Sequence, residues 1–288
     1  MLKLSAASPI YCLMALCFGL LVGCINSPPA PTLESLNAQN LKLLEQKQWQ
    51  AQTIHTKTFD YWSANSPILD AQTVVVYLEG DGHAWLNSRT PSPDPTPYEP
   101  IALKLALQDP APAVAYLGRA CQYTNAAISR NCHSSAWLSH RYSQEVISSA
   151  NEALDQIKKR FKAKSLILIG YSGGATIAAL GASQRQDVSE IITVAGNLDT
   201  AAWVRYHRLS PLSGSLNPAD DSQKMSQFPQ IHFMGEADDV VPPSLTKNYA
   251  SKVGTSAPIK LVSLPGYDHQ CCWVDTWPAL LQQYRPLH

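Results

Sequence analysis

Residues 165–182 read Ser165-Leu166-Ile167-Leu168-Ile169-Gly170-Tyr171-Ser172-Gly173-Gly174-Ala175-Thr176-Ile177-Ala178-Ala179-Leu180-Gly181-Ala182. The unbroken apolar run from Leu166 to Ile169 predicts a strand over Ser165 to Gly170 that is covered on both faces. Ala175 to Ala182 predicts a helix whose small residues let it lie close against a sheet. Between the two stands Gly170-Tyr171-Ser172-Gly173-Gly174, a Gly-x-Ser-x-Gly pentapeptide on a strand-to-helix turn. On so sharp a turn the residues two before and two after the serine crowd each other, and here both are glycine.

Outward from this unit the pattern alternates. Upstream, Leu41 to Gln52 predicts a short helix, and Ile54 to Tyr61, Thr73 to Glu79 and Val114 to Leu117 predict strands. Ser139 to Phe161 predicts the longest helix, with Tyr142, Val146, Ala150, Ala153, Leu154, Ile157 and Phe161 on one stripe. Its last turn carries Lys158-Lys159-Arg160, where the negative end of the helix dipole favours cations. Downstream, Ile191 to Val194, Ile231 to Met234 and Ile259 to Leu264 predict strands, with helices near Pro243 to Lys252 and Trp277 to Tyr284. Strands separated by helices imply an α/β fold, a mostly parallel central sheet with helices on both faces.

Two stretches fit no regular element. Thr90 to Pro100 has proline at 91, 93, 95, 97 and 100 and is expected to be extended and stiff, while Asn197 to Phe228 is a polar insertion between two strands. Loops of this length in a compact domain more often form lids or cleft walls than spacers.

The 288 residues carry 22 Lys+Arg against 22 Asp+Glu, so no net field draws a polyanion, and nucleic acid is not an expected partner. Hydrophobic residues make up 45% of the chain and charged ones 15%, enough apolar surface for a substantial core and against disorder. The first 23 residues stand apart: Lys3 is their one charge, and the apolar stretch from Ile10 to Val22 is short for a membrane span, which reads as an export signal. Leu21-Val22-Gly23-Cys24 resembles the lipobox of bacterial lipoproteins, which implies cleavage before Cys24 and a lipid anchor on its thiol. Ile25 stands where an aspartate would signal inner-membrane retention, which points to an exported, outer-membrane or periplasm-facing lipoprotein.

On that reading, residues 24–52 hold a Pro- and Ser-rich tether and a short helix, and residues 53–288 form one domain with a lid-like insertion at about 197–228. Cys121, Cys132, Cys271 and Cys272 then face an oxidising compartment, and four cysteines allow three connectivities. Cys121 with Cys132 closes a short polar loop and is the preferred bridge; Cys271-Cys272 are left to form a vicinal ring, stay reduced or cross-link to the other pair. No metal-ligand spacing occurs among cysteines or histidines.

With its strand, serine turn and small-residue helix, the chain resembles the α/β-hydrolase family over most of residues 54 to 288. The resemblance implies an acid and then a histidine after the serine, each in the loop following a late strand. Gly235-Glu236-Ala237-Asp238-Asp239-Val240-Val241-Pro242 looks like the family's acid turn and assigns the acid to Asp238, with Asp239 and Asp199 as competing carboxylates. His269, in Pro265-Gly266-Tyr267-Asp268-His269, matches the histidine. His83, His133 and His207 are read as loop or cleft-lining residues.

The family's oxyanion hole would use the amide of Gly173 and, by position, that of Asp81 in Glu79-Gly80-Asp81-Gly82. That loop departs from the family's usual His-Gly, and the carboxylates of Glu79 and Asp81 would oppose a developing anion unless turned away or paired, Arg119 being a conceivable partner for them. Trp85, Trp203 and Trp273 are either core residues or walls of an acyl pocket. The resemblance implies a serine hydrolase acting on a small acyl substrate without cofactor, carboxylic esters first, amides or thioesters by the same chemistry. A non-catalytic lipoprotein that keeps the fold as a scaffold is the reading from a different class.

Overall fold

The computed structural model describes residues 30–87 and 89–285. The expected export signal and Cys24 lie outside the described residues. Eight strands form one sheet: β1 (Gln50–His55), β2 (Asp60–Asn65), β3 (Thr73–Leu78), β4 (Val114–Leu117), β5 (Ser165–Tyr171), β6 (Val188–Val194), β7 (Gln230–Gly235) and β8 (Ile259–Leu264). Their order is β1-β2-β4-β3-β5-β6-β7-β8. The pairs β1–β2 and β2–β4 are antiparallel and all the others parallel.

The helices are α1 (Leu33–Gln46), α2 (Ile101–Ala106), α3 (Gln144–Arg160), α4 (Gly173–Ala182), α5 (Thr200–His207), α6 (Ser222–Met225), α7 (Pro243–Val253) and α8 (Trp273–Tyr284). Side chains alternate across each strand, so β3 sends Val74, Val76 and Leu78 into one core and Val75 and Tyr77 into another. The first core is closed by α3 through Val146, Ala150, Leu154 and Ile157, the second by α2 and by Trp277 and Leu281 of α8. A sheet apolar on both faces and covered on both faces is the architecture the strand runs imply.

The differences from expectation have local causes. The stretch Ile54 to Tyr61 is not one strand but the hairpin β1–β2, with Ile54 facing Tyr61. Thr56 reverses the chain: its N–H donates to Phe59 O at 3.1 Å, and the Phe59 N–H donates to Thr56 Oγ1 at 3.2 Å. Hydrophobic and β-branched residues on both sides of that turn conceal it in the sequence. The first helix starts at Leu33 rather than Leu41, because Thr32 Oγ1 accepts the Ser35 N–H at 3.2 Å and caps it. It stops before Gln48, whose φ is 57°, and residues 50–52 join β1 instead.

The long helix begins at Gln144, capped by Ser143, whose Oγ accepts the Val146 N–H at 3.3 Å. Tyr142, placed on its stripe by periodicity, precedes the cap. The last helix begins at Trp273, not Trp277. Helix α2 is a short segment with five of its six residues buried, so it lacks the polar-apolar period that announces a helix. The stretch 197–228 is not irregular throughout: it holds α5, a 3₁₀ turn at Pro218–Asp221, and α6.

Candidate active site

Ser172 sits between the end of β5 and the start of α4 with φ 52° and ψ −120°. This conformation costs a residue with a Cβ on the order of 1–3 kcal/mol and persists only where its surroundings enforce it. The Ser172 N–H donates to Val194 O at 3.0 Å, and the amides of Ala175 and Asn197 donate to Ser172 O at 3.1 Å each. The crowding expected of the pentapeptide is present. A Cβ on Gly170 would stand 2.4 Å from the Ala175 backbone, and one on Gly174 would stand 2.2 Å from Leu78 O.

The loop after β8 carries His269 to the serine. His269 Nε2 lies 3.0 Å from Ser172 Oγ, and Nδ1 lies 2.9 Å from Asp238 Oδ2. Asp238, in the turn after β7, is sealed from solvent, and its other oxygen Oδ1 accepts the amides of Val240 at 2.9 Å and Val241 at 2.7 Å. One oxygen closes the turn while the other meets the imidazole, so the turn role and the imidazole-orienting role coexist in one residue. A carboxylate at Nδ1 selects the tautomer with its hydrogen there, leaving Nε2 free to accept from the hydroxyl.

The competing acids are elsewhere. Asp199 caps α5 by accepting the Ala202 N–H at 2.9 Å and pairs with Lys252. Asp239 is exposed.

Gly173 and Asp81 also converge. Among the described residues no acceptor takes either of their backbone N–H groups. The Gly80 N–H, by contrast, is taken by Glu79 Oε1 at 2.9 Å. The Asp81 carboxylate is paired, as its position requires. Arg119 Nη1 donates to Oδ1 at 2.8 Å, and Arg141 Nη1 donates to Oδ2 at 2.6 Å. The Tyr142 hydroxyl lies 2.9 Å from both oxygens. Arg119 is the partner the sequence suggested; Arg141 and Tyr142 carry no motif that would have revealed them.

Residues 111–266, more than half of the chain, match the serine hydrolase (FSH1) family. The chain belongs to that family. No curated protein sequence matches it. Among solved structures it is similar to a puromycin hydrolase at 15% identity and TM-score 0.57, over 81% of this chain. It spans only 38% of that protein's length. It is also similar to the Pyrococcus furiosus esterase PF2001, at 12% identity and TM-score 0.55 over 90% of this chain and 95% of that one. The naproxen esterase (carboxylesterase NP) of Bacillus subtilis gives 12% and 0.55 over 88% and 98%. At such identities the likeness is one of fold.

In this serine hydrolase, Ser172 and His269 open onto a cleft of about 580 Å³, walled by His83, Trp85, Tyr98, Trp203 and Val240 among others. The proline-rich stretch contributes Pro97 and Tyr98 to it, and Tyr98 stacks on His83 with ring centroids 4.4 Å apart. Trp203 of α5 is pinned by its Nε1–H donating to Val240 O at 2.7 Å. Trp85 is 42% exposed at the rim. Trp273 is not a wall: it is fully buried, and its Nε1–H donates to Asp268 O at 3.0 Å.

Burial pushes the carboxyl of Glu79, at the base of the cleft, up to about 7, against the pull of the Gly80 and Ala102 amides and the Tyr116 hydroxyl. Cys121 is bonded to Cys132, and Cys271 to Cys272, the latter pair two residues beyond His269. Among the described residues no cluster of three metal-binding side chains occurs, and no helix is long and apolar enough to cross a membrane.

Proposed function

We propose that this serine hydrolase cleaves carboxylic esters through an acyl-enzyme intermediate on Ser172. The observation that carries the reading is the continuous chain from hydroxyl through imidazole to sealed carboxylate, at 3.0 and 2.9 Å. Ser172 Oγ attacks the carbonyl carbon while His269 Nε2 takes its proton. His269 then gives that proton to the departing alcohol, and Asp238 stabilises the imidazolium formed in between. Water, deprotonated by the same imidazole, releases the acid and restores the serine.

The free amides of Gly173 and Asp81 are the donors for the oxyanion, each worth about 3 kcal/mol of barrier in comparable sites. The aromatic walls of the cleft suit an apolar or ring-bearing group next to the ester.

Purified protein is expected to label with a fluorophosphonate at Ser172 and to hydrolyse p-nitrophenyl esters across a series of acyl lengths, with Ser172→Ala losing both. An unlabelled, inactive wild-type protein would favour the scaffold reading. Parallel assays on p-nitroanilides and thioesters place amide and thioester cleavage against the ester rate.

The lipobox-like Leu21-Val22-Gly23-Cys24 supports an exported protein held at a membrane by lipid on Cys24. Palmitate labelling that survives in the Ser172→Ala form and vanishes in Cys24→Ser tests this independently of catalysis.

A further inference from the structure

Behind the loop that carries the Asp81 amide, two guanidiniums meet one carboxylate. Burial alone would raise the Asp81 pKa, but the charges of Arg141 and Arg119 overcome it and hold the carboxyl at about 2. At neutral pH the cluster therefore counts two positive charges against one negative. Both arginine side chains are only 8% exposed, so water screens the remaining unit poorly.

The guanidiniums are fixed as well as buried. Arg119 Nη2 donates to Arg141 O at 2.8 Å, and its guanidinium carbon lies 5.1 Å from the centre of the Tyr142 ring. Arg141 Nε donates to Leu138 O at 2.7 Å.

The cluster touches the turn that holds Ser172. A Cβ on Gly173 would stand 2.1 Å from Asp81 Oδ1 and 2.5 Å from the Tyr142 hydroxyl oxygen, so only a glycine lets the carboxylate lie there. Arg141 borders the cleft together with Ser172 and Gly173. An acid this near the oxyanion amides would by itself weaken catalysis. Its two partners do more than cancel it.

We propose that Arg119 and Arg141 are positioning residues with an electrostatic purpose: they anchor Asp81 so that its amide faces the reacting carbonyl, and they leave one unit of positive charge behind Gly173 to stabilise the tetrahedral anion. The inference rests on Ser172 as nucleophile. A charge fixed in a poorly screened wall needs no reorganisation when the anion forms, which is what makes such an arrangement effective.

The test compares Arg141→Gln and Arg141→Lys in p-nitrophenyl ester hydrolysis, together with the affinity of a short alkylboronic acid, which becomes a tetrahedral anion on a serine. Losing one oxyanion donor costs about a hundredfold or more, and a charge held one layer further out is expected to cost about tenfold. Arg141→Gln should lower kcat about tenfold with KM nearly unchanged, and should weaken the boronic acid by a similar factor. Arg141→Lys should recover most of both.

Unchanged kcat and boronic acid affinity in Arg141→Gln would overturn the proposal. So would an Arg141→Lys variant as poor as Arg141→Gln, since guanidinium geometry alone would then account for the loss. Should Arg141→Gln fail to fold by thermal unfolding, Arg119→Gln removes the same unit of charge and carries the same expectation. Wild-type protein that does not react with a fluorophosphonate refutes the serine reading and the charge proposal together, whereas labelled wild type with unaffected variants refutes the charge proposal alone.

Discussion

Tyr171 donates its phenolic hydrogen to the backbone oxygen of His269 at 3.0 Å, and its ring lies under the imidazole with centroids 5.4 Å apart. The residue just before Ser172 thus holds the loop that delivers the histidine. That loop has other ties, since the Trp273 indole donates to Asp268 O and the Asp268 carboxylate accepts the amides of Gln270 and Cys271. Beside the His269–Ser172 hydrogen bond itself, the Tyr171 contact ties this loop to the serine turn, so the hydroxyl helps set the distance between imidazole and nucleophile.

Tyr171→Phe keeps the ring and deletes that bond. One net hydrogen bond is worth about 1 kcal/mol, so kcat and the rate of fluorophosphonate labelling are expected to fall together by about fivefold, with KM little changed. Equal labelling rates in variant and wild type would show that the loop is held without it.

The two acids closest to the expected position separate cleanly by mutation. Asp238→Asn keeps the turn-closing oxygen for Val240 and Val241 but removes the charge facing Nδ1 of His269. A loss in kcat of about 10⁴ is expected, as for other triads deprived of the carboxylate. Asp199→Asn, a change at the cap of α5, is expected to leave kcat near the wild-type value and to lower thermal stability slightly. Steady-state kinetics on both variants checks the assignment.

What the sequence disclosed and what it concealed follow from how far apart the interacting residues lie. The buried strands and the serine turn are local patterns, and β5 with α4 appears where Leu166-Ile167-Leu168-Ile169 and the small-residue run place them. Asp238 and His269 were found through their loops' positions after β7 and β8, and the structure brings both to Ser172. Arg141 and Tyr142 reach Asp81 from 60 residues or more away, and no local pattern records such a contact. The β1–β2 turn is hidden because its signal is a threonine hydroxyl bonded to the backbone of Phe59 three residues on, in a run otherwise suited to a strand.

Glu79 gives a pH dependence whose sign is fixed. Its carboxyl titrates at about 7 when folded, because burial raises it from its ordinary 4.5. Between those two values the unfolded chain gives up the proton first, so stability falls as pH rises from 4.5 to 7 and levels off above. The contribution amounts to about 3 kcal/mol across that window. Asp81 acts with the opposite sign and only in acid, where protonation toward its folded value of about 2 removes stability. Glu79→Gln should flatten the fall between pH 4.5 and 7 and be more stable than wild type above it. Chemical denaturation of both proteins across that range measures it, and parallel curves would contradict the burial of a titrating carboxyl there.

The Cys121–Cys132 bridge joins residues 11 apart and leaves Cys121 fully buried at a φ of 71°. On either side of Cys121 stand two of the residues that support the Asp81 loop: Arg119 on the Asp81 carboxylate, and Gln122, whose Nε2 donates to Gly80 O at 3.0 Å. The Arg119 N–H in turn donates to Gln122 Oε1 at 3.0 Å, so the turn is closed on itself as well as on the loop. Loss of a bridge over a loop this short costs about 2–3 kcal/mol through the entropy of the unfolded chain. Cys121→Ser combined with Cys132→Ser should therefore lower thermal stability by several degrees. It should also lower kcat by a few-fold at temperatures where the variant is fully folded, because the support of the oxyanion loop is loosened. A variant that loses stability yet keeps the full wild-type kcat would show that the bridge acts on folding alone, and that Arg119 and Gln122 hold the loop without its help.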